Sequence, residues 1–380
     1  QRGRVSGANG GGIYLNKDNI NLWLRNVTIQ NCTVEGGNYN GGAIWCKGTT
    51  VNIFAQDCVF NGNKAQYCGG VSYNGNWNMK NCIFSNNNAG YGGIENGDGS
   101  TYYINASNCI FKNNSASDQG GAFRWGITVN ATNCVFYKNA SNPGGVGYNC
   151  TWYSTNSIYW DNIAPSNPAF YNCSGALRYC DLQKNGWGDI STKTQCISLE
   201  PMFVSTFEGA QDFHLKPGSP CIDSGTKETG TPATDIDGNV RPRGFAVDLG
   251  PYEFQGPSII VLSPNGGESL GGGENFAIRW ITSDEVAGFG AKPITIRYSA
   301  DAGSSWALVT KEVENTGIYT WEVPQAFTIN GLISIEVVNS SGIWNCDTSN
   351  ATFEIVPPII WVSTGGSDTL GDGTQDKPYG

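Results

Sequence analysis

"NCIFSNNNAGYGGI" (81–94) and "NCIFKNNSASDQGGAF" (108–123) say nearly the same thing 27 residues apart. Aligned on the Cys, further copies stand at "NCTV" (31–34), "DCVF" (57–60), "NCVF" (133–136) and "NSIY" (156–159), the last with Ser157 for Cys. Gly-paired segments alternate with them: "GGGIY" (10–14), "GGAIW" (41–45), "GGVSY" (69–73), "GGIEN" (92–96), "GGAFR" (120–124) and "GGVGY" (144–148). Each repeat therefore carries at least two short strands. A period of this size without helical spacing specifies a β-solenoid, in which one coil cannot bury its apolar face and repetition lets each coil cover its neighbour.

The alternation in "YYINASN" and "ITVNATN" places Ile104 and Ala106, then Val129 and Ala131, on the interior face. Cys109 and Phe111, like Cys134 and Phe136, are two apart and re-enter the core, each stacking on its copy in the next coil. Asn87, Asn114, Asn139 and Asn162 recur three residues after the aromatic. There we expect a left-handed turn, with the amide bonding its own backbone and the next coil. The Gly pairs are expected to supply positive φ or close backbone approach at a second corner.

Composition fits this reading. Charged residues are 14% of 380 and Gly numbers 52, which disfavours helical bundles and charge-rich disorder. A net charge of −10 without a basic cluster disfavours a nucleic-acid partner, so none is expected, and no apolar run is long enough for membrane insertion as a helix. Gln1 opens the chain without a signal-peptide pattern, so the chain reads as processed or excerpted. The 13 Cys include a ladder at Cys32, Cys58, Cys82, Cys109 and Cys134, with a second pair at Cys150 and Cys173. Buried thiols are the first reading of the ladder, and disulfides between neighbouring coils the alternative.

With these motifs the sequence resembles the right-handed parallel β-helix family, the pectin-lyase-like superfold, over roughly residues 5–254, and within it bacterial surface proteins with "NCxFxxN" and "GGA" repeats. The stretch 200–254, with "DFHLKPGSPCIDSG" and "DIDGNVRPRGFAVDLGPYE", looks like the terminal capping coils of secreted members. After Gly256-Pro257, alternating strands such as "FAIRWIT" and "ITIRYS" separated by turn signals read as an Ig-like or fibronectin-like sandwich. The fold expectation is thus all-β: a right-handed parallel β-helix solenoid (1–256) followed by an Ig-like β-sandwich (257–356). The tail (357–380), with "WVSTGGSDTLGDGTQDKPYG", resembles the start of a further β-helix unit. Either the chain is part of a tandem array, or the tail completes the open end of another copy, a head-to-tail contact that need not close.

Enzymes on this superfold place paired carboxylates and Arg or Lys on neighbouring coils. Here Asp57, Asp98 and Asp118 are scattered, and Asp57 takes the ladder position of Asn31 and Asn81. The single His, His214, would have to serve every Ser/His/Asp or Cys/His arrangement, and in "DFHL" it reads as structural. "YSADAGSSW" (298–306) matches an Asp-box through Ser299, Asp301, Gly303 and Trp306, a hairpin turn held by the Asp. Asp235, Asp237 and Asn239 have the look of a calcium loop, with an Asx-rich turn as the plainer reading. Glycosylation sequons stand at Asn26, Asn105, Asn113, Asn130, Asn139, Asn149, Asn172, Asn339 and Asn350, and at Asn31, which we expect to be partly buried. Trp45, Trp77 and Trp125 could stack on sugars or fill coil corners. The expected protein is extracellular and non-enzymatic, a fibre or array subunit whose partners are copies of itself. The alternatives are a monomeric surface adhesin or carbohydrate-binding module with surface glycans as partners, or a polysaccharide lyase or hydrolase.

Overall fold

The computed structural model describes residues 4–6, 9–48, 50–99, 102–165, 169–183, 188–339 and 342–357, so the tail 358–380 lies outside the described residues. The chain divides into two compact units, Gln1–Gln255 and Gly256–Gly380.

The first unit is a parallel β-solenoid whose coils contribute to four sheets. One coil runs Tyr102–Ser107, Ile110–Lys112, Ser115–Gln119 and Phe123–Arg124. These join, in that order, an eight-stranded sheet, a seven-stranded sheet that we call the aromatic-core sheet, a five-stranded sheet, and a second seven-stranded sheet that we call the glycine-pair sheet. Tyr102–Ser107 alternates buried and outward residues as expected, with Ile104 and Ala106 inside. On the aromatic-core sheet Phe60, Phe84, Phe111, Phe136 and Tyr159 form one stack, with successive ring centroids 4.7, 5.3, 4.6 and 4.7 Å apart.

All 13 cysteines are free, so the ladder consists of thiols rather than disulfides. Cys32 is not one of its rungs: Thr28–Gln30 pairs with Val59–Asn61, which sets Val27 at the level of Cys58 and Cys32 at that of Asn63, whose Oδ1 accepts the Cys32 N–H (3.1 Å). Each Sγ donates to the carbonyl two residues earlier, as from Cys82 to Lys80 (3.2 Å) and from Cys109 to Ser107 (3.2 Å). Ser157 makes the same bond through Oγ to Thr155 (3.1 Å), which explains the exchange. Cys180 and Cys196 continue the column, Cys180 donating to Arg178 and Cys196 to Thr194. Neither follows an Asn, so alignment on "NC" passes over them.

The left-handed positions differ from expectation by one residue. Asn86, Asn113, Lys138 and Asp161 have φ of 55, 54, 51 and 53°, as do the residues before the ladder Cys, Asn81 (54°), Asn108 (51°) and Asn133 (52°). Asn87, Asn114, Asn139 and Asn162 are instead buried and form, with Asn63, a continuous amide ladder. Each Nδ2 donates to a carbonyl of the previous coil and, from Asn63 to Asn139, also to the next coil's Asn Oδ1, from Asn87 to Asn114 at 2.9 Å and from Asn114 to Asn139 at 3.0 Å. In the Gly pairs both expected roles occur, one per glycine. Gly92 has φ 59°, and a Cβ on Gly93 would lie 2.1 Å from the Gly121 carbonyl oxygen.

Residues 198–255 do not add terminal coils. They form a strap along the outside of the aromatic-core sheet, where Phe203, Phe213, Leu215 and Leu249 cover Ile110, Val135 and Ile158. Its two strands, Phe203–Ser205 and Asp212–Leu215, pair antiparallel with each other. The left-handed Asn column faces it: Asn108 Nδ2 donates to the Thr234 carbonyl (2.8 Å), Asn133 Nδ2 to that of Asp248 (3.0 Å) and Asn156 Nδ2 to that of Thr226 (2.8 Å). Within the strap Arg241, fully buried, pairs with Glu253 at 2.9 Å.

The second unit holds a three-stranded antiparallel sheet (Ile259–Ser263, Asn275–Thr282, Ile318–Glu322) and a mixed sheet centred on Thr328–Asn339. Ile278, Trp280, Ile296, Ile335 and Phe353 fill its core in a sandwich-like arrangement. The Asp-box is the expected turn. Asp301 accepts from Ser299 Oγ (2.8 Å), from the Ser305 N–H (2.8 Å) and from Ser305 Oγ (2.6 Å). The Ser305 bonds lead in lowering the Asp301 carboxyl to about 2.

Candidate functional site

The outward face of the eight-stranded sheet carries an ordered display. Alternation in "INLWLR" (20–25) and "VNIFAQ" (51–56) turns Leu22, Leu24 and Ile53 toward the core and Trp23 and Phe54 outward. Pairing register aligns Trp23, Phe54, Asn78, Asn105, Asn130 and Tyr153 in one column along the solenoid. Trp23 lies on Phe54 with centroids 4.1 Å apart and planes 10° apart, and it remains 70% exposed, so one broad apolar face is open to solvent. Beyond it the amides bond coil to coil, Asn105 Nδ2 to Asn78 Oδ1 at 3.0 Å and Asn130 Nδ2 to Asn105 Oδ1 at 2.9 Å. A parallel row on the same face links Asn52 to Asn21 (2.9 Å) and Asn76 to Asn52 (3.3 Å).

A cleft of about 730 Å³ runs over this column, edged by Arg25 and Lys80 and touched by Gly230 of the strap. The strap loop is tied to the solenoid by Arg178 and Glu228 at 2.7 Å, both partly exposed. No Asp, Glu, His or Cys is among the cleft's lining residues. An aromatic platform with rows of amides offers stacking and paired donors and acceptors for hydroxyl groups, with no carboxylate pair for acid–base work. Sequence reading singled out other aromatics; the signal for Trp23 and Phe54 was their phase, opposite to that of the inward Leu and Ile.

The proposed calcium residues do not converge. Asp235 is buried, and its carboxylate accepts the N–H groups of Asp237 (3.0 Å), Asn239 (2.8 Å) and Glu253 (3.0 Å) and Nδ2 of Asn239 (3.1 Å), as in an Asx turn. Asp237 turns instead to His214, its Oδ2 lying 2.8 Å from Nε2. Among the described residues no group of three or more His, Cys, Asp and Glu is arranged to hold a metal ion. His214 also contacts Asp212 through Nδ1 (2.5 Å) and lies 3.8 Å from the Tyr252 ring. Burial alone would lower its pKa, but the bonds to Asp212 and Asp237 outweigh burial and raise it.

The sequon residues scatter. Asn139 is a fully buried member of the amide ladder and is closed to modification, whereas Asn31 is exposed, against expectation. Asn26, Asn172 and Asn350 are exposed; Asn113 and Asn149 are half-buried with positive φ. Asn105 and Asn130 lie in the outer column with their Nδ2 groups engaged. Asn339 ends the strand Thr328–Asn339. Trp77 is core, bonded through Nε1 to Ser72 Oγ (3.0 Å), and Trp45 stacks on Tyr14 (4.8 Å), while Trp125 is 46% exposed. Among the described residues no helix is long and apolar enough to cross a membrane. Comparison with protein-family models, curated proteins and solved structures finds no match for this chain.

Proposed function

We propose that this is an extracellular, non-catalytic surface protein whose pectin-lyase-like solenoid binds a neutral polysaccharide along the eight-stranded sheet, with the Ig-like second unit as a spacer. The observation that carries the reading is the outward column from Trp23 to Tyr153, in which an exposed stacked aromatic pair is continued by an amide ladder at coil spacing. A chain of sugars presents apolar ring faces and a regular series of hydroxyls, and this column offers partners for both. The cleft's lack of acidic lining residues favours retention over cleavage.

Affinity electrophoresis in gels containing neutral polysaccharides tests this. The protein should be retarded by at least one, and Trp23→Ala should raise the Kd about tenfold, roughly 1.4 kcal/mol. Equal retardation of the variant, or none in any gel, would reject the cleft as a glycan site.

A second reading, end-to-end assembly into a fibre or array, is favoured by the place of Thr192–Thr194 as the terminal strand of the eight-stranded sheet. Light scattering and electron microscopy with and without residues 358–380 test it: polymers lost on deletion support donor-strand joining, and monomers in both cases oppose it.

A further inference from the structure

Sequence and backbone single out Trp125. At the corner that follows the glycine-pair sheet, Asn74, Asn149 and Asn172 have φ of 60, 53 and 49°, the residue type that tolerates this region best after glycine. Trp125 occupies the same corner after Phe123–Arg124 with φ 60°. A bulky side chain there is strained, and strain of this kind is retained where surrounding structure enforces it, clustering at active sites, ligand clamps and switch regions. The register of the corner is fixed by backbone bonds, Trp125 N–H to the Tyr148 carbonyl (2.9 Å) and Gly97 N–H to the Arg124 carbonyl (2.9 Å).

Beside it stands Arg124. Its guanidinium carbon lies 4.3 Å from the Tyr91 ring centre and 4.6 Å from that of Trp125, with Tyr148 at 5.9 Å. Nε donates to Gln119 Oε1 (2.9 Å) and Nη1 to Asn96 Oδ1 (3.0 Å), so two of its five N–H groups are engaged and the plane is locked. The remaining three have no acceptor among the described residues, and no carboxylate pairs with Arg124 there. Asp118 stands near enough to the Tyr91 hydroxyl to raise its pKa. A half-buried cation with faces packed on aromatics and an unmatched edge has the geometry for a planar carboxylate. Trp125, 46% exposed, and the stacked pair Tyr148 and Tyr171, 5.5 Å apart, extend the platform sideways for an apolar ring face.

We infer that Arg124 and Trp125, with Tyr91 and Tyr148, form a second glycan site that recognises one carboxylated sugar in an otherwise neutral chain. The net charge of −10 opposes a polyanion, whereas one carboxylate needs only a local partner. The platform has stacking faces for a sugar ring, which favours a saccharide over a peptide carboxyl terminus. The site lies on other sheets than the Trp23 column and stands or falls independently of it.

Calorimetry on the full chain at physiological salt, with an oligosaccharide bearing one terminal hexuronic acid and the same compound with its carboxyl reduced to an alcohol, tests the inference. The acid should bind at least tenfold more tightly than the alcohol; Arg124→Gln should abolish that preference, and Trp23→Ala should leave it unchanged. Trp125→Asn should weaken both ligands and raise the thermal midpoint, because Asn relieves the strained corner; a purely structural Trp would give a lower midpoint. Equal binding of the two ligands by the unaltered protein, which no misfolded variant can confuse, would overturn the proposal. So would preference retained in Arg124→Gln, or binding of a free peptide carboxyl terminus in place of the sugar.

Discussion

Five hydrogen bonds that involve a side chain converge on Asn114, which is fully buried. Its Nδ2 donates to the Phe84 carbonyl and to Asn139 Oδ1, its Oδ1 accepts from the N–H and Nδ2 of Asn87, and its N–H donates to Asn139 Oδ1. Replacing it with Ala strands the Phe84 carbonyl and the Asn87 donors, and each buried unsatisfied group costs about 1–3 kcal/mol. Asn114→Ala should therefore destabilise the solenoid by about 3 kcal/mol in urea unfolding. Asn113→Gly, one residue earlier with φ 54°, should stay within about 0.5 kcal/mol. Equal effects would mean that the ladder contributes no more than a turn. The sequence contained the means to tell these positions apart. In "SNNNA" and "KNNSA" both are Asn, but "YKNAS" and "WDNIA" put Lys138 and Asp161 at the left-handed position and keep Asn139 and Asn162 next to it. From Asn63 to Asn162 the Asn repeated in each copy was the buried one, because many residues survive a positive φ whereas only an amide both donates and accepts along a ladder.

The strap raises the same question for an element. "CIF", "CVF" and "SIY" carry three consecutive core-like residues, so Ile110, Val135 and Ile158 face outward on a strand whose other side is already core. A strand apolar on both faces is covered on both, and that signal was legible. What alternation could not reveal was whether residues 198–255 coil or fold back, since "DFHL" suits either arrangement. Where the strap meets the last coils, Asp181 is buried; it accepts from the Leu199 N–H (3.2 Å) and from Cys221 Sγ (3.4 Å). Burial lifts its carboxyl to about 7. The unfolded chain releases this proton near pH 4 while the folded chain holds it, so stability falls as pH rises through this window, by up to about 1.4 kcal/mol per pH unit. His214, whose folded pKa is raised, acts in the same direction: its contribution is present at low pH and lost as pH rises through the folded value. Solenoid unfolding should therefore need more urea at pH 5 than at pH 7, and Asp181→Asn should remove only part of that difference, because burial also raises the Glu95 and Asp248 carboxyls. A wild-type midpoint unchanged between the two pH values would refute the buried, protonated carboxyl.

For the whole molecule, the chain divides into compact units at Gln255 and Gly256, and the sequence changes period after Gly256-Pro257. The junction was legible because coil repeats and sandwich strands bury their apolar residues by different patterns. The outward column was harder to read, since nothing in composition separates an Asn that binds solvent from one that binds a ligand. Each unit has its own core, one of stacked coil residues and the other around Trp280, and no residue belongs to both clusters. Cooperative unfolding follows contiguous packing, so the two units should melt as separate transitions in calorimetry. Trp280 is 1% exposed, and its truncation to Ala removes a fully buried indole from the second core, at about 3–5 kcal/mol. Trp280→Ala should lower one endotherm and leave the other in place, while Asn114→Ala should do the reverse. If either substitution moves both endotherms together, the units share a folding equilibrium, and a ligand bound to the solenoid would then stabilise the second unit as well.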